Sequence, residues 1–593
     1  MVSTRAMNIV SKRAVDDYVT APSGSKLLRH EDYWAIWLGA FVLIIGLLIN
    51  YMSMPVDASK TIATARAAMA AEEARAPIRT VAWHEANDKL GGLRASGQGL
   101  ARDLGSYLAR PMKWTTNPLD AFVKDGPDAA KRDAAKARHE AAVKALATAK
   151  SAAQTAEAAA AGAKFSDTAL NASARTAIEA WRKARSAESS ARAAANAKAQ
   201  NVIGSLIVLG IGTGLLFAVG ASFLGWSVPR FLIAFPGVFL LAVISYAIAA
   251  QADIGAWGLE YVFWAILIGL IISNTIGTPT WLLPAVQVEY YIKTGLVLLG
   301  ASILFGKIVI IGLPGLAVTW LVTPFVLVGT YWFGQHVLRM ESKTLNITVS
   351  ADMSVSGVSA AIAVAAACRA KKEELTLAVG ISIIFTSIMM FLMPAFAKAV
   401  GMHPVLAGAW MGGTIDSTGS VVAAGALLGP VAMEVAATIK MIQNIMIGFV
   451  AFCVAAYWAT RVERAPGTID LSFTGAMREI WSRFPKFILG FIGASIIFSI
   501  IHGMLGQDMG RVVIDNGVIR GWTSGLQGWF FCLAFVSIGL STDFRELKHL
   551  FAGGKPVTLY VVGQTASLFM SIAMCYVMFF IAFPWVTERL MAR

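Results

Sequence analysis

The chain has 593 residues, of which 56% are hydrophobic and only 15% charged, and its mean hydropathy is positive. Soluble proteins carry roughly a quarter of their residues as charges, so lipid is the solvent for most of this chain and a soluble enzyme is excluded. The formal net charge of +14 does not indicate nucleic acid: about half of the excess lies in one alanine-rich segment and much of the rest flanks apolar runs, where positive-inside topology accounts for it.

Residues 1–32 form a basic N-terminus, with Lys12, Arg13, Lys26 and Arg29, ahead of the first apolar run at 33–54. That run is long enough for about 30 Å of hydrocarbon and predicts a retained transmembrane anchor with a cytoplasmic N-terminus. A cleaved signal would start earlier and have an apolar core of roughly 7–15 residues. From 55 to 200 long apolar runs vanish and Ala, Lys, Arg and Glu dominate, so this is a soluble insert, placed on the periplasmic or extracellular side by the outward course of the anchor. Stretches 128–160 and 167–199 have strong helix propensity and predict a helical hairpin, with 162–166 as the turn and Ser166 or Asp167 as N-cap. Alanine buries little area per turn, so the hairpin is expected to lean on a second copy, giving a homodimer, or on another protein. Its positive charge reads as a solvated face, with an anionic membrane surface as the alternative.

The region 201–593 reads as a multi-span membrane domain, with apolar spans near 202–225, 231–250, 259–278, 289–305, 309–337, 345–367, 375–397, 405–428, 433–458, 487–504, 522–541 and 557–586. With the anchor this makes about thirteen. Loops holding Arg339 and Lys343, Arg461 through Lys486, and Arg545 through Lys555 then fall on the cytoplasmic side, as the charge rule asks. The loop Arg-Ala-Lys-Lys-Glu-Glu at 369–374 falls on the other side. Either its two glutamates soften the violation, or the segment before it is not a simple crossing.

That preceding segment, 345–367, carries Asp352, Ser354, Ser356, Gly357 and Ser359 where a span should be oily. A second such segment, 405–428, carries Gly412, Gly413, Thr414, Asp416, Ser417, Thr418, Gly419 and Ser420. Both read Asp, then Ser/Thr/Gly, then Val and an Ala-rich stretch. Polar groups and a charge at membrane depth survive only inside protein or beside water, so each segment is expected to be a helix broken near its middle. Paired interrupted spans point to the binding site of a transporter. A half-helix starting in mid-membrane aims its free N–H groups and the positive end of its dipole at a solute, which is an anion site in kind. Packing of small residues is the alternative reading of the same Ser, Gly and Ala. The candidate substrate ligands are therefore Ser354, Ser356, Gly357, Ser359, Thr414, Ser417, Thr418, Gly419 and Ser420.

Lys440 joins them, in the first half of the span at 433–458, with Gln443 and Asn444 one turn further on. Its partner is Asp416, Asp352 or the substrate anion, or else it snorkels to the interface. Asp352 and Asp416 coordinate Na⁺, carry protons or support the helix starts. A weaker likeness links 295–302 (GLVLLGAS) with 535–541 (FVSIGLS), as internal duplication would. Cys368, Cys453, Cys532 and Cys575 lie in or beside apolar segments without CxxC pairing, and the histidines lack metal spacing, so no metal site is expected. Neither a Walker A motif nor a nucleophile triad is present, so no cofactor, ATP-driven pump or enzyme activity is expected either.

The stretches SVSGVSAAIAVAAACRAKKEE (354–374), GAWMGGTIDSTGSVVAAG (408–425), AATIK ending at Lys440, RFPKFILGF (483–491) and FVSIGLSTDFREL (535–547) resemble the bacterial sulfate exporter family of YeiH-type proteins, over about residues 225–593. The resemblance implies an all-α inner-membrane carrier similar to sodium/proton antiporters and bile acid symporters: inverted repeats, a core and a panel domain, and two broken helices crossing at the substrate site. It does not extend to the insert or the first run. The expected function is secondary transport of a small anion, sulfate first, by elevator or rocking movement, with Na⁺ or H⁺ as possible coupling ion. Rivals are a cation-coupled importer of bicarbonate or an organic acid, and a membrane-anchored sensor or assembly protein acting through the insert.

Overall fold

Lipid offers the backbone no hydrogen-bond partner, so apolar runs close their bonds locally and become helices. The structure is a computed structural model describing residues 26–256, 261–303, 305–462, 481, 484–543 and 554–591. Residues 1–25 of the basic N-terminus, and most of the loops at 461–486 and 545–555 used above for orientation, lie outside the described residues. Among the described residues nearly everything is helical, apart from a short antiparallel pair in which Val123 faces Asn201 and Lys124 faces Gln200.

Nine helices among the described residues are long and apolar enough to cross a membrane: Glu31–Met52, Ile203–Phe223, Val228–Ala249, Ile310–His336, Glu373–Ala399, Pro430–Tyr457, Phe487–Leu505, Gln507–Ser541 and Lys555–Ala582. The chain is thus a multi-pass helical membrane protein. Hydropathy suggests thirteen spans; the other four correspond to two 15-residue helices, Tyr261–Thr275 and Val288–Ser302, and to the two polar-rich segments, which are interrupted. Fifteen residues rise about 22 Å, short of a hydrocarbon core of about 30 Å.

These helices pack in two groups. One gathers Glu31–Met52, Val228–Ala249, Tyr261–Thr275, Val288–Ser302, Phe487–Leu505 and Ser524–Ser541 around buried Leu296, Leu298, Trp529, Phe530 and Phe531. The other gathers Val322–His336, the two interrupted segments, Lys372–Ala399, Pro430–Tyr457 and Lys555–Tyr576. The first helix is an integral member of its group and not a detached anchor. Lys293 Nζ lies 3.0 Å from Glu31 and 2.9 Å from Asp32, whose other oxygen accepts the Lys486 N–H at 2.8 Å.

The insert contains the helices Ala58–Arg75, Val81–Gly92, Ala129–Gly162 and Thr168–Ala195. Asp167 caps the last of these, accepting from the N–H groups of Ala169 and Leu170, as the sequence suggests. The hairpin takes its cover from within the chain: Ile78 and Val81 pack against Ala153, Ala160, Ala174, Ile178 and Trp181. Arg75 reaches Glu157 at 2.6 Å and Lys150 reaches Glu85 at 2.6 Å across the same seam. Below the hairpin the insert is fastened to the first helix group. Arg66 grips Asp508 with two bonds of 2.7 and 2.6 Å, Ser96 Oγ donates to Asn516 O, Arg110 lies over the Tyr246 ring, and Trp114 Nε1 donates to Ala247 O at 2.6 Å.

Candidate functional site

The first interrupted segment runs as a helix over Lys343–Ala351, widens into a π turn over Asp352–Ser356, and restarts at Val358–Cys368. Ser354 Oγ donates back to Ser350 O at 2.6 Å, a side-chain bond that competes with the helical ladder. Gly357 then takes φ 56° and ψ −135°, a conformation open to glycine and strained for other residues. The second segment runs over Pro404–Thr414, turns extended at Ile415 (φ −74°, ψ 131°), and restarts at Thr418–Ala426. Here Gly412 and Gly413 weaken the helix end, and Thr414 Oγ1 donates to Trp410 O at 2.5 Å.

The two interruptions meet. A Cβ placed on Gly357 would stand 3.1 Å from Asp416 Cβ and 3.4 Å from Ser382 Oγ. Neither restarting half-helix has a side-chain cap. The first intrahelical acceptances come from Ala361 N–H to Gly357 O and Val421 N–H to Ser417 O, both at 2.9 Å. The amides at 358–360 and 418–420 precede those bonds and belong to the set that a helix start leaves without an internal acceptor.

A third helix, Pro430–Tyr457, stitches the junction. Lys440 Nζ donates to Gln443 Oε1 at 2.8 Å and to Val355 O at 3.3 Å. Gln443 Nε2 reaches Ser354 O at 3.2 Å and Gly413 O at 3.3 Å, one carbonyl from each interruption. Asn444 accepts from Ser356 Oγ at 2.6 Å and donates to Thr418 Oγ1 at 3.1 Å, again one partner from each. Lys440 is only 1% exposed, so it does not snorkel, and neither aspartate forms an ion pair with it. The expected carboxylate partner is replaced by a backbone carbonyl and an amide.

From Lys555–Tyr576, Tyr560 OH donates to Asp416 Oδ2 and Gln564 Nε2 donates to Thr414 O at 3.0 Å. Asp352 is fully buried and both its oxygens lack a hydrogen-bond partner, as does Thr386 Oγ1 on the helix Lys372–Ala399. Such orphans are costly in a protein interior and mark a place where a proton, ion or water is to be expected.

The structure brings Ser356, Gly357, Asp352, Asp416, Ser417, Thr418 and Lys440 to one junction, with Gly419 and Ser420 on the half-helix start beside it. Ser354 and Thr414 spend their hydroxyls on their own helices, and Ser359 is exposed one residue past Val358. Most of the junction is buried; Ser417 is half-buried, and Gly419 borders Val288 and Ile538 of the first helix group. Sequence reading missed Tyr560, Gln564, Ser382 and Thr386. Gln564 alone carried a signal, as an amide inside an apolar run; the rest are ordinary in helices.

The family described as "Conserved hypothetical protein 698" matches residues 234–560, a stretch that contains both interrupted segments, Lys440 and Tyr560. A UPF0324 membrane protein of Nitratidesulfovibrio vulgaris is 53% identical over 567 residues, 95% of this chain and 97% of that protein. The chain belongs to the UPF0324 membrane protein family. Another UPF0324 member, from Rhodopirellula baltica, is 43% identical over 577 residues, covering 94% of this chain and 91% of the relative. The UPF0324 inner membrane protein YeiH of Escherichia coli is 27% identical over 339 residues, which is 55% of this chain but 89% of YeiH. UPF0324 proteins thus occur in a long form that shares most of the insert and in a shorter form. The YeiH-type resemblance read from the motifs agrees with this membership. No solved structure matches the chain.

Proposed function

We propose that this UPF0324 protein is a secondary active transporter that moves a small anion, sulfate first, through the junction of the two broken segments. The observation that carries the reading is that junction, where Gly357 lies against Asp416 and both half-helices begin uncapped. Facing helix starts attract an anion through their amides and dipoles. The anion sits between the starts, with Ser356, Gly357, Ser417, Thr418, Gly419 and Ser420 around it. Two carboxylates, Asp352 and Asp416, against one lysine leave the buried site with excess negative charge when all are ionised. A dianion therefore needs a cation to arrive with it, which makes these aspartates the seat of a coupling H⁺ or Na⁺. Lys440 supplies charge while its bonds hold the interruption open.

An inverted-repeat carrier with about thirteen spans is supported by a contact that recurs. Ser273 Oγ donates to Gly539 O at 3.0 Å and Thr542 O at 2.7 Å, while Ser495 Oγ donates to Ile303 O. A Cβ on Gly539 would meet Ile266 and Gly269, and one on Gly300 would meet Phe491. Gly300 to Ile303 and Gly539 to Thr542 occupy the same places in the two similar motifs. The two helix groups serve as panel and moving core, with the junction at their seam. The membrane is a bacterial inner membrane, with the N-terminus cytoplasmic and the insert outside, in keeping with the positive loops and with the name of the E. coli relative.

The test is uptake of labelled sulfate, bicarbonate and carboxylates by proteoliposomes under an imposed H⁺ or Na⁺ gradient. Gradient-driven uptake of one anion is expected, lost in Lys440→Met and kept in Cys368→Ala. Excising 128–197, between the paired strands that close the base of the hairpin, should leave uptake intact; a sensor acting through the hairpin would lose its activity. No flux of any of these anions under either gradient refutes the proposal.

A further inference from the structure

We propose that the insert carries an oxyanion-binding cleft of its own, separate from the membrane junction, whose ligand is a small tetrahedral anion such as sulfate or phosphate. One face of the helix Thr168–Ala195 presents Arg182, Arg185, Ser186, Ser189 and Ser190, at spacings of three and four residues that place them side by side. Asp88 of Val81–Gly92 stands opposite, and the six side chains line an open surface cleft of about 350 Å³.

Charge decides what the cleft takes. Arg185 is answered by Asp88 at 2.7 Å and lies over the Trp181 ring, which holds its fork in place. Arg182 has no ion pair among the described residues. Arg79, stacked on Trp83 at 4.5 Å, and the buried imidazole of His84 lie in the same neighbourhood. Two guanidiniums face one carboxylate in the lining, and Asp88 pairs with only one of them, so the cleft keeps an unanswered positive charge beside a row of hydroxyl donors. Ser190 Oγ bonds back to Ser186 O at 3.0 Å, which leaves Ser186 and Ser189 as the hydroxyls offered to a ligand. Guanidinium forks match the paired oxygens of an oxyanion better than they match chloride. The site lies outside the region matched by the family at 234–560 and depends on nothing in the transport reading.

The test is equilibrium binding of labelled sulfate and labelled phosphate to the full-length protein in detergent, at constant ionic strength in chloride. Saturable binding of at least one anion is expected to persist in Lys440→Met, which removes the junction's positive charge, and to weaken at least tenfold when Arg182→Gln is added to that variant. Arg182 is exposed and packs no core, and far-ultraviolet circular dichroism checks that the variant keeps its helices. Absence of saturable binding in Lys440→Met, or unchanged affinity when Arg182→Gln is added to it, overturns the proposal.

Discussion

Gly357→Ala tests the junction most directly. At φ 56° and ψ −135° an alanine is held in a region that costs of order 1–3 kcal/mol for a residue with a Cβ. The added carbon also stands 3.1 Å from Asp416 Cβ, closer than ordinary contact, and 3.4 Å from Ser382 Oγ. Asp416 is held on its far side by Tyr560, so the strain is relieved only by parting the two interruptions or by giving up that bond. A loss of about 1–3 kcal/mol corresponds to a fall of several degrees in thermal midpoint, at roughly 2–4 °C per kcal/mol for a domain of 150–250 residues. The assay is thermal unfolding of the purified variant in detergent beside Gly212→Ala, where an added Cβ meets nothing within 4 Å. The control should hold or gain stability, because alanine is the better helix former by about 1 kcal/mol. If Gly357→Ala melts with the wild type, the two breaks do not meet as described.

Asn444→Ala removes the amide that joins Ser356 to Thr418 and leaves both hydroxyls short of a partner in a buried place, so a loss of about 1–3 kcal/mol in unfolding experiments and reduced transport are expected. Asp508→Asn breaks the bidentate pair with Arg66, whose side chain is 46% exposed, and should cost only about 0.2–1 kcal/mol; a larger drop would mean that this pair carries the insert. Burial, opposed in part by Asp88 and reinforced by Arg182, Arg79 and Arg185, holds the His84 imidazole below its ordinary value. The unfolded insert therefore takes up the proton first. Its stability should be full above about pH 6.5 and fall on acidification below that, and His84→Phe should flatten this limb in hydrogen-exchange measurements; an unchanged profile refutes the assignment.

Much of this protein is legible in its residues taken locally. Apolar runs longer than the hydrocarbon core have to be spanning helices, alanine and lysine runs with an Asp cap have to be soluble ones, and serine, glycine and aspartate inside an oily run leave little room for anything except an interruption. Those inferences need only the neighbours along the chain, which is why the hairpin, the apolar runs and both broken segments are readable at once, whereas hydropathy counts the two 15-residue helices among thirteen full spans and reads the helix Gln507–Ser541 only over 522–541. The tertiary structure decided what lies across each interruption. Asp416 and Tyr560 are 144 positions apart, and Gln443 reaches carbonyls 89 and 30 positions away, so no spacing rule could have joined them. The same holds for Lys440, where a buried cation announces a partner yet only packing chooses a carbonyl and an amide over either aspartate. It holds also for the first helix, whose composition suits a free anchor and whose ion pairs with Lys293 make it part of the membrane body. Solvation is written residue by residue along the chain, whereas partners are chosen by the folded shape.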